Sequence, residues 1–217
     1  MANFTTLRHQ MVEQDLIPAG ITDKRVLAAC RKVPRHEFVP VEHRDQAYEN
    51  HPLQIGDGQT ISQPYTVALM TELLKLKPGD RVLEVGTGSG YQATIIAEIV
   101  GAENVYTIER HHQLAESARN NLERTGYGQV STTFGDGTRG WPQHAPYNAV
   151  IVTAAAPEPP QPLIDQLAIQ GRMVIPIGPR FGQQMTRLTK LDDDTLKEEH
   201  FGAFIFVPLI GQYGWQQ

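Results

Sequence analysis

Residues 82–90, Val-Leu-Glu-Val-Gly-Thr-Gly-Ser-Gly, constrain the fold of this chain more than any other stretch. A β-rich apolar run carries an acidic residue and breaks into a Gly-x-Gly-x-Gly turn, after which a helix-like pattern spans 91–100. Because glycine has no Cβ, such a turn lets backbone N–H groups and a helix N-terminus approach a ligand closely. The stretch therefore predicts a strand–turn–helix unit that binds a nucleotide-like molecule.

Predicted strands and helices alternate along the middle of the chain. The strand candidates are 81–85, 104–108, 130–134, 147–152 and 172–177, and the helix candidates are 91–100, 111–125 and 162–168. This order predicts an α/β fold with a doubly wound, mostly parallel sheet. Two further candidates, 184–191 and 198–209, predict a C-terminal hairpin that gives the sheet an antiparallel edge.

The first third of the chain follows a different pattern. Residues 5–33 predict an N-terminal extension of two helices, the second capped by Thr22 or Asp23 and stopped by Pro34. From Pro34 to Pro64 few apolar positions repeat, which predicts an ordered but irregular segment, and loops of that length are usually functional. Helical spacing then resumes and ends at residues 77–79, Lys-Pro-Gly.

Length and composition favour one globular domain. The 217 residues are 40% hydrophobic and 20% charged, which suits a single domain over 1–217. We expect helices and an active-site segment in 1–77, a cofactor-binding α/β core in 78–182, and a hairpin and tail in 183–217. The apolar runs are too short to cross a bilayer, and the first residues lack a signal-peptide layout.

Net charge and cysteine content indicate the cellular compartment and argue against one class of partner. The net charge of −5 argues against nucleic-acid binding, and the single cysteine, Cys30, fits a reducing cytoplasm. No His-Glu-x-x-His or similar ligand pair is present, so we expect no metal. The expectation is a cytoplasmic protein, a monomer, with no nucleic-acid or membrane partner.

The glycine spacing argues against phosphate ligands. Tyr91 stands where a dinucleotide fingerprint needs its third glycine, and no lysine follows the turn as in a phosphate-loop NTPase. S-adenosylmethionine carries no phosphate and has a sulfonium cation, which the acidic Glu84 before the turn would suit. The turn therefore favours S-adenosylmethionine as the ligand.

Two further acids follow later strand candidates. Glu109 ends the next strand, where a carboxylate can accept both ribose hydroxyls. Asp136, in Gly135-Asp136-Gly137 after the third strand, stands where the adenine amino group is expected. Each acid alone is an ordinary loop carboxylate, but three at the carboxyl ends of consecutive strands favour a ligand site.

These three motifs together resemble the class I, Rossmann-like methyltransferases. They run in order as residues 84–90, Glu-Val-Gly-Thr-Gly-Ser-Gly, then 105–109, Val-Tyr-Thr-Ile-Glu, then 135–137, Gly-Asp-Gly. The resemblance implies a set of cofactor-binding residues: Glu84, Gly86, Thr87, Gly88, Gly90, Glu109, Arg110, Asp136, Gly137 and Thr153.

The acceptor is indicated by other segments. Residues 52–64, Pro-Leu-Gln-Ile-Gly-Asp-Gly-Gln-Thr-Ile-Ser-Gln-Pro, and 153–160, Thr-Ala-Ala-Ala-Pro-Glu-Pro-Pro, resemble the protein-L-isoaspartate O-methyltransferases of bacterial type. The resemblance continues in 171–178 and 206–209, so it covers essentially the whole chain. One departure is Tyr65, where animal members of the family carry histidine.

The resemblance implies a repair reaction. S-adenosylmethionine donates a methyl group to the free α-carboxylate of an L-isoaspartyl residue in a damaged protein or peptide, which leaves S-adenosylhomocysteine. The ester then collapses to a succinimide that can reopen as aspartate. A carboxyl group has a reference pKa of about 4, so the acceptor is already ionised and needs no general base.

The same resemblance implies roles at the acceptor side. Ser62 is the family's active-site hydroxyl, which orients the acceptor carboxylate, and Thr60 lies beside it. The implied substrate contacts are Gln59, Ile61, Ala154, Ala155, Val207, Pro208 and Leu209.

Other functions are compatible with parts of the sequence. A class I methyltransferase could act on another carboxylate or on a small molecule, although residues 153–157, Thr-Ala-Ala-Ala-Pro, lack the Asp/Asn-Pro-Pro-aromatic motif of amino-methylating DNA enzymes. A non-catalytic adenosine-binding module would not need the Gln-Thr-Ile-Ser stretch of 59–62. A nicotinamide oxidoreductase is disfavoured by the glycine spacing.

Overall fold

The computed structural model describes residues 3–216, which form one large sheet, one small hairpin and flanking helices. The small hairpin consists of β1 (Leu53–Gly56) and β2 (Gln59–Ile61). The strands of the large sheet are β3 (Val82–Val85), β4 (Val105–Glu109), β5 (Ser131–Phe134), β6 (Tyr147–Val152), β7 (Leu167–Ile177), β8 (Gln183–Lys190) and β9 (Leu196–Phe204).

The order of the seven strands, β5-β4-β3-β6-β7-β8-β9, creates a crevice at the middle of the sheet. Val82 of β3 pairs in parallel with Val105 of β4 on one side and with Ala149 of β6 on the other. After β5 the chain returns to the far side of β3, so the connections leaving β3 and β6 run in opposite directions. Ligands of open α/β sheets bind at such a reversal, beyond the carboxyl ends of the strands.

Helices cover both faces of the sheet. They are α1 (Phe4–Gln10), which continues as a π-helix over Met11–Leu16, then α2 (Lys24–Lys32), α3 (Pro64–Leu74), α4 (Tyr91–Val100), α5 (His112–Arg124) and α6 (Gln161–Asp165). Because side chains alternate along a strand, Val82 belongs to the core under α2–α5, whereas Leu83 belongs to the core with Leu163 and Leu209. Within residues 3–216, no helix is both long enough and apolar enough to cross a bilayer.

The predicted fold class is confirmed. The strands β3 to β7 run parallel, β8 runs antiparallel to β7, and β9 runs antiparallel to β8. The N-terminal helical extension is also present, and Asp23 caps α2 by accepting a hydrogen bond from the backbone N–H of Arg25 at 2.8 Å. The last strand ends at Phe204 rather than 209, because residues beyond it leave the sheet edge and bond Ala155 instead.

The prediction of an irregular segment over 34–64 was wrong in part. It contains 3₁₀-helices at Arg35–Phe38 and Val41–Gln46 and the antiparallel hairpin of β1 and β2. Strands this short leave no periodic pattern in the sequence. The available signal was the Asp57-Gly58 pair, since both residues adopt positive φ, 50° and 68°, as a tight hairpin turn requires.

The prediction of a helix over 162–168 was also wrong in its second half, because α6 ends at Asp165 and β7 begins at Leu167. Gln166 lies between the two elements, and its carbonyl accepts a hydrogen bond from Tyr147 N–H on β6 at 2.9 Å. The neighbouring strand therefore provides a backbone partner that a continuing helix could not use. A local helical pattern carries no information about that partner.

The side chain of Gln166 connects the loop of residues 139–141 with α6. Its Oε1 accepts from Trp141 N–H at 2.8 Å, and its Nε2 donates to the carbonyls of Arg139 at 2.9 Å and Pro162 at 2.8 Å. The Gln166 side chain is buried, so its three hydrogen bonds are at least partly shielded from water. Removing the amide would leave buried polar groups without partners, which is more costly than losing an exposed hydrogen bond.

Gln166→Ala is expected to lower the free energy of unfolding by about 2–3 kcal/mol, since buried backbone groups lose their partners. Urea denaturation followed by circular dichroism measures the change. Gln161→Ala is the matched control, because Gln161 is exposed and its side-chain amide reaches only Asp165. The control should cost less than about 0.5 kcal/mol. Equal losses in the two variants would contradict the role given to Gln166.

Candidate active site

A cavity opens at the carboxyl edge of the sheet, where the strand order reverses. The space inside it and its open mouth is about 980 Å³. The lining comes from the hairpin region, from α3, from β3 and β4 with the turns that follow them and the start of α4, from the turns after β5 and β6, and from the C-terminal tail. The lining residues are Gln59, Thr60, Ile61, Ser62, Val67, Val85, Gly86, Thr87, Gly88, Ser89, Tyr91, Gln92, Ile108, Glu109, Arg110, His111, Gly137, Thr153, Ala154, Val207, Pro208, Leu209 and Ile210.

The glycine turn after β3 needs its glycines for conformation and for close approach. Gly86, Gly88 and Gly90 have φ angles of 98°, 54° and 89°, in a region that other residues rarely adopt. A Cβ on Gly86 would lie 2.3 Å from Oγ1 of Thr153, which itself donates to the Gly86 carbonyl at 2.8 Å. The turn is therefore held against Thr153, the residue after β6. Gly90 then leads directly into α4.

Glu109 holds the turn and also lines the cavity. Its Oε2 accepts from Gly88 N–H and its Oε1 from His111 N–H, both at 2.9 Å. A carboxylate oxygen can accept more than one hydrogen bond, so each oxygen can still bind a hydroxyl. This geometry fits the predicted contact with a ribose diol.

Glu84 occupies a different position from the one expected. It is fully buried beneath the turn and is not among the lining residues. Its Oε2 accepts from Oγ1 of Thr107 at 2.6 Å, and that hydroxyl lies 2.7 Å from Oγ1 of Thr87. Burial raises the pKa of Glu84 to about 8, despite the Thr107 hydrogen bond, so the group is mostly neutral near pH 7. In this structure it supports the turn from below.

Asp136 also lies outside the cavity lining. Its Oδ1 accepts from Thr138 N–H at 3.0 Å, and its Oδ2 accepts from Gln212 N–H at 2.8 Å. Burial alone would raise the pKa of Asp136, but these donors outweigh it and keep the pKa below its ordinary value. The carboxylate fastens the C-terminal tail, whereas its neighbour Gly137 reaches the cavity. An adenine contact of Asp136 stays a prediction.

A second part of the cavity wall combines the hairpin region with the tail. Ser62, Thr60, Gln59 and Ile61 line the same cavity as the glycine turn. Ser62 follows β2 directly, so the short hairpin fixes the position of its backbone at the cavity wall.

The tail reaches the cavity because the turn after β6 binds it. Ala155 N–H donates to the Val207 carbonyl, and Leu209 N–H donates to the Ala155 carbonyl, both at 2.8 Å. Val207, Pro208 and Leu209 thus lie in the lining together with Ala154. The small side chains of the alanine run leave room for this chain's own tail, and Ala155 itself lies behind the wall.

Several lining residues were missed by the sequence analysis. They are Val67, Val85, Ser89, Tyr91, Gln92, Ile108, His111 and Ile210. All of these except Val67 stand within two residues of a predicted contact, so for them a signal existed in the sequence. Arg35 gave no such signal, yet its Nη2 donates to the Ser62 carbonyl at 2.8 Å.

The lining suits a ligand with an adenosyl group and a cationic centre better than a phosphate. It offers one carboxylate, Glu109, with backbone groups of a glycine turn, and Arg110 is its single Lys or Arg side chain. The apolar wall of Val207 and Leu209 can exclude water from a reacting centre. In the part of the chain that the structure describes, no group of three or more His, Cys, Asp or Glu residues could hold a metal ion.

Comparison with known sequences identifies the family. Residues 7–214 match the profile of the protein-L-isoaspartate(D-aspartate) O-methyltransferase family. A protein-L-isoaspartate O-methyltransferase of Methanoculleus marisnigri is 54% identical over 209 residues, 96% of this chain and 94% of the relative. A Syntrophobacter fumaroxidans protein named protein-L-isoaspartate O-methyltransferase 1 is 49% identical over the full length of both chains.

Solved structures lead to the same family. One named protein-L-isoaspartate O-methyltransferase superposes with a TM-score of 0.84 at 30% identity, covering 95% of this chain and 67% of that one. A Plasmodium falciparum β-aspartate methyltransferase, in complex with S-adenosyl-L-homocysteine, gives 0.81 at 26% identity, with 94% and 98% coverage. The chain therefore belongs to the protein-L-isoaspartate(D-aspartate) O-methyltransferase family.

Proposed function

We propose that this chain is a repair enzyme that methylates the free α-carboxylate of L-isoaspartyl residues in damaged proteins and peptides. The observation that carries the proposal is the meeting of two segments in one cavity. Residues 86–89 of the glycine turn and the Gln59–Ser62 stretch line one cavity, so a methyl donor and an acceptor bound there would share one space. The curated relatives at about half identity carry the same enzyme name.

S-adenosylmethionine fits the glycine-turn side and, when bound, supplies an electrophilic methyl group and leaves as S-adenosylhomocysteine. Glu109 would accept hydrogen bonds from the ribose hydroxyls, and Gly86, Thr87 and Gly88 would form the backbone cradle, with Gly90 just outside the lining. Thr153 fixes the cradle through its hydrogen bond to Gly86. Arg110 and Gly137 complete this wall.

The acceptor side has to position a nucleophile that is already charged. An α-carboxylate is ionised at neutral pH, so the chain needs no base, and positioning with water exclusion accounts for the catalysis. The Ser62 hydroxyl would donate a hydrogen bond to one carboxylate oxygen and leave the other oxygen free to accept the methyl group. Thr60, Gln59 and Ile61 hold the peptide beside it.

The product is an ester that reacts further without the enzyme. The next backbone nitrogen attacks the ester carbonyl, methanol leaves, and the resulting succinimide adds water to give aspartate or isoaspartate.

We further propose that the enzyme works as a cytoplasmic monomer of one domain. Support comes from the cavity, whose wall draws residues from 1–77, 78–182 and 183–217 of the same chain.

The function is tested with two peptides that differ only in the linkage of one residue, isoaspartyl in one and aspartyl in the other. The enzyme with radiolabelled S-adenosylmethionine should label the isoaspartyl peptide at least about a hundredfold faster, because only that linkage presents a free α-carboxylate. Equal labelling of the two peptides, or no labelling of either, would contradict the proposal.

Ser62→Ala should lower kcat for the isoaspartyl peptide by about 10- to 100-fold, since one preorganised donor at the reacting group is lost. The affinity for S-adenosylhomocysteine should stay within about threefold, because the hydroxyl faces the acceptor. Ser131→Ala on β5, outside the cavity lining, is the control and should keep wild-type kcat. If Ser62→Ala abolished cofactor binding instead, Ser62 would belong to the cofactor side.

Glu109→Ala should weaken S-adenosylhomocysteine binding by about 1–3 kcal/mol, because charge-assisted hydrogen bonds to the ribose and to the glycine turn are lost. Isothermal calorimetry measures this change directly. Glu116→Ala on α5, whose side chain is 63% exposed, is the matched control and should bind as the wild type does. Unchanged affinity in Glu109→Ala would remove this residue from the cofactor site.

A further inference from the structure

Arg35 is a fully buried arginine directly behind the acceptor side of the cavity. It has no exposed surface, and its Nε donates to the carbonyl of Ala47 at 2.8 Å while its Nη2 donates to that of Ser62 at 2.8 Å. Its Cζ lies 4.9 Å from the centre of the Tyr91 ring. One side chain thus contacts both the residue proposed to orient the acceptor and the first residue of α4, after the glycine turn.

The charge of Arg35 is not neutralised by a carboxylate. Among residues 3–216, none of its nitrogen atoms lies within 4.0 Å of an Asp or Glu oxygen, and its Nη1 has no hydrogen-bond partner. Buried charges are normally paired, because leaving water is costly for an ion. An unpaired buried cation beside a ligand cavity therefore points to an anion that arrives with the ligand.

The groups that face Arg35 do not supply that anion. Burial raises the pKa of the Cys30 thiol to about 12 and also raises the pKa values of Tyr48 and Tyr91, so all three are neutral near pH 7. Burial lowers the pKa of Arg35 itself to about 10, which still leaves it charged. The N-terminus of α3, at Pro64, adds a second positive potential just beyond Ser62.

We propose that Arg35 is a positioning residue for methyl transfer, which fixes the Ser62 segment against Tyr91 and makes the acceptor side selective for a carboxylate. The two carbonyl contacts hold the backbone from which the Ser62 hydroxyl projects. The unpaired charge favours an ionised acceptor over a neutral one of the same shape. This inference rests on the proposed function, since it assumes that the acceptor is the isoaspartyl α-carboxylate.

The structure offers a matched control in Arg187 on β8. Arg187 is also buried, donates to the Leu73 carbonyl at 3.1 Å, and has its Cζ 5.0 Å from the centre of the Phe201 ring. It differs in being paired with Glu199 at 2.8 Å and in lying outside the cavity lining. A purely structural role would make the two arginines behave alike.

The test compares Arg35→Lys, Arg35→Gln and Arg187→Lys with the wild type. Lysine keeps the charge but cannot donate to the Ala47 and Ser62 carbonyls at once. Arg35→Lys should therefore lower kcat about tenfold and leave KM for the isoaspartyl peptide within about threefold. Arg35→Gln also removes the charge and should raise KM at least about tenfold. S-adenosylhomocysteine affinity should stay within about threefold in both, and Arg187→Lys should keep kcat and KM within about twofold.

The inference is overturned if folded Arg35 variants keep wild-type kcat and KM, or if Arg35→Gln and Arg35→Lys have the same KM. A second measurement needs no variant and remains available if substitutions at Arg35 prevent folding. With S-adenosylhomocysteine bound, the wild type should bind the isoaspartyl peptide at least about tenfold more tightly than its α-carboxamide counterpart. Equal affinities would overturn the inference.

Failure of this inference differs from failure of the proposed function. If the wild type does not methylate the isoaspartyl peptide, the function itself is wrong. If the wild type methylates that peptide and the Arg35 variants behave like Arg187→Lys, only the role of Arg35 is wrong.

Discussion

The parallel pairing of β3 with β4 on one side and β6 on the other is the constraint on which the rest of the structure depends. It places the carboxyl ends of three strands at one edge and separates the loops that follow β3 and β6. Three parts of the cavity are attached to that edge. The glycine turn extends β3, and Glu109 ends β4. Ala154 lies in the turn after β6, and the next residue, Ala155, binds the C-terminal tail.

Two glutamates at this edge differ in their contacts and in their burial because their surroundings differ. Glu109 faces the cavity, and two backbone N–H groups donate to it, so it can hold the turn and a ligand together. Glu84 lies one strand away with only a threonine hydroxyl as partner, and its other oxygen is buried without a hydrogen bond. Desolvation therefore raises the pKa of Glu84 to about 8, and Glu109 is the one of the two that lines the cavity.

Much of the α/β core could be predicted because its signals are local. The helix over 91–100 and the strand over 147–152 were predicted with the bounds that the structure shows, since periodicity and turn residues mark them. The hairpin of β1 and β2 was missed because its strands are too short to show a period. The second half of the helix over 162–168 was wrong because Tyr147, the first residue of β6, donates its N–H to the Gln166 carbonyl, and that partner is distant in sequence.

The sequence by itself determined the fold class, the glycine turn with its acid at Glu109, and the distinctive 59–62 segment that lines the cavity. These depend on residue type and on spacing along the chain, which are properties of neighbours. Only the tertiary structure decided which acids reach the cavity, that the tail forms its wall through Ala155, and that Arg35 lies unpaired behind Ser62. Burial and hydrogen-bond partners arise from contacts between distant segments, so no local pattern could have revealed them.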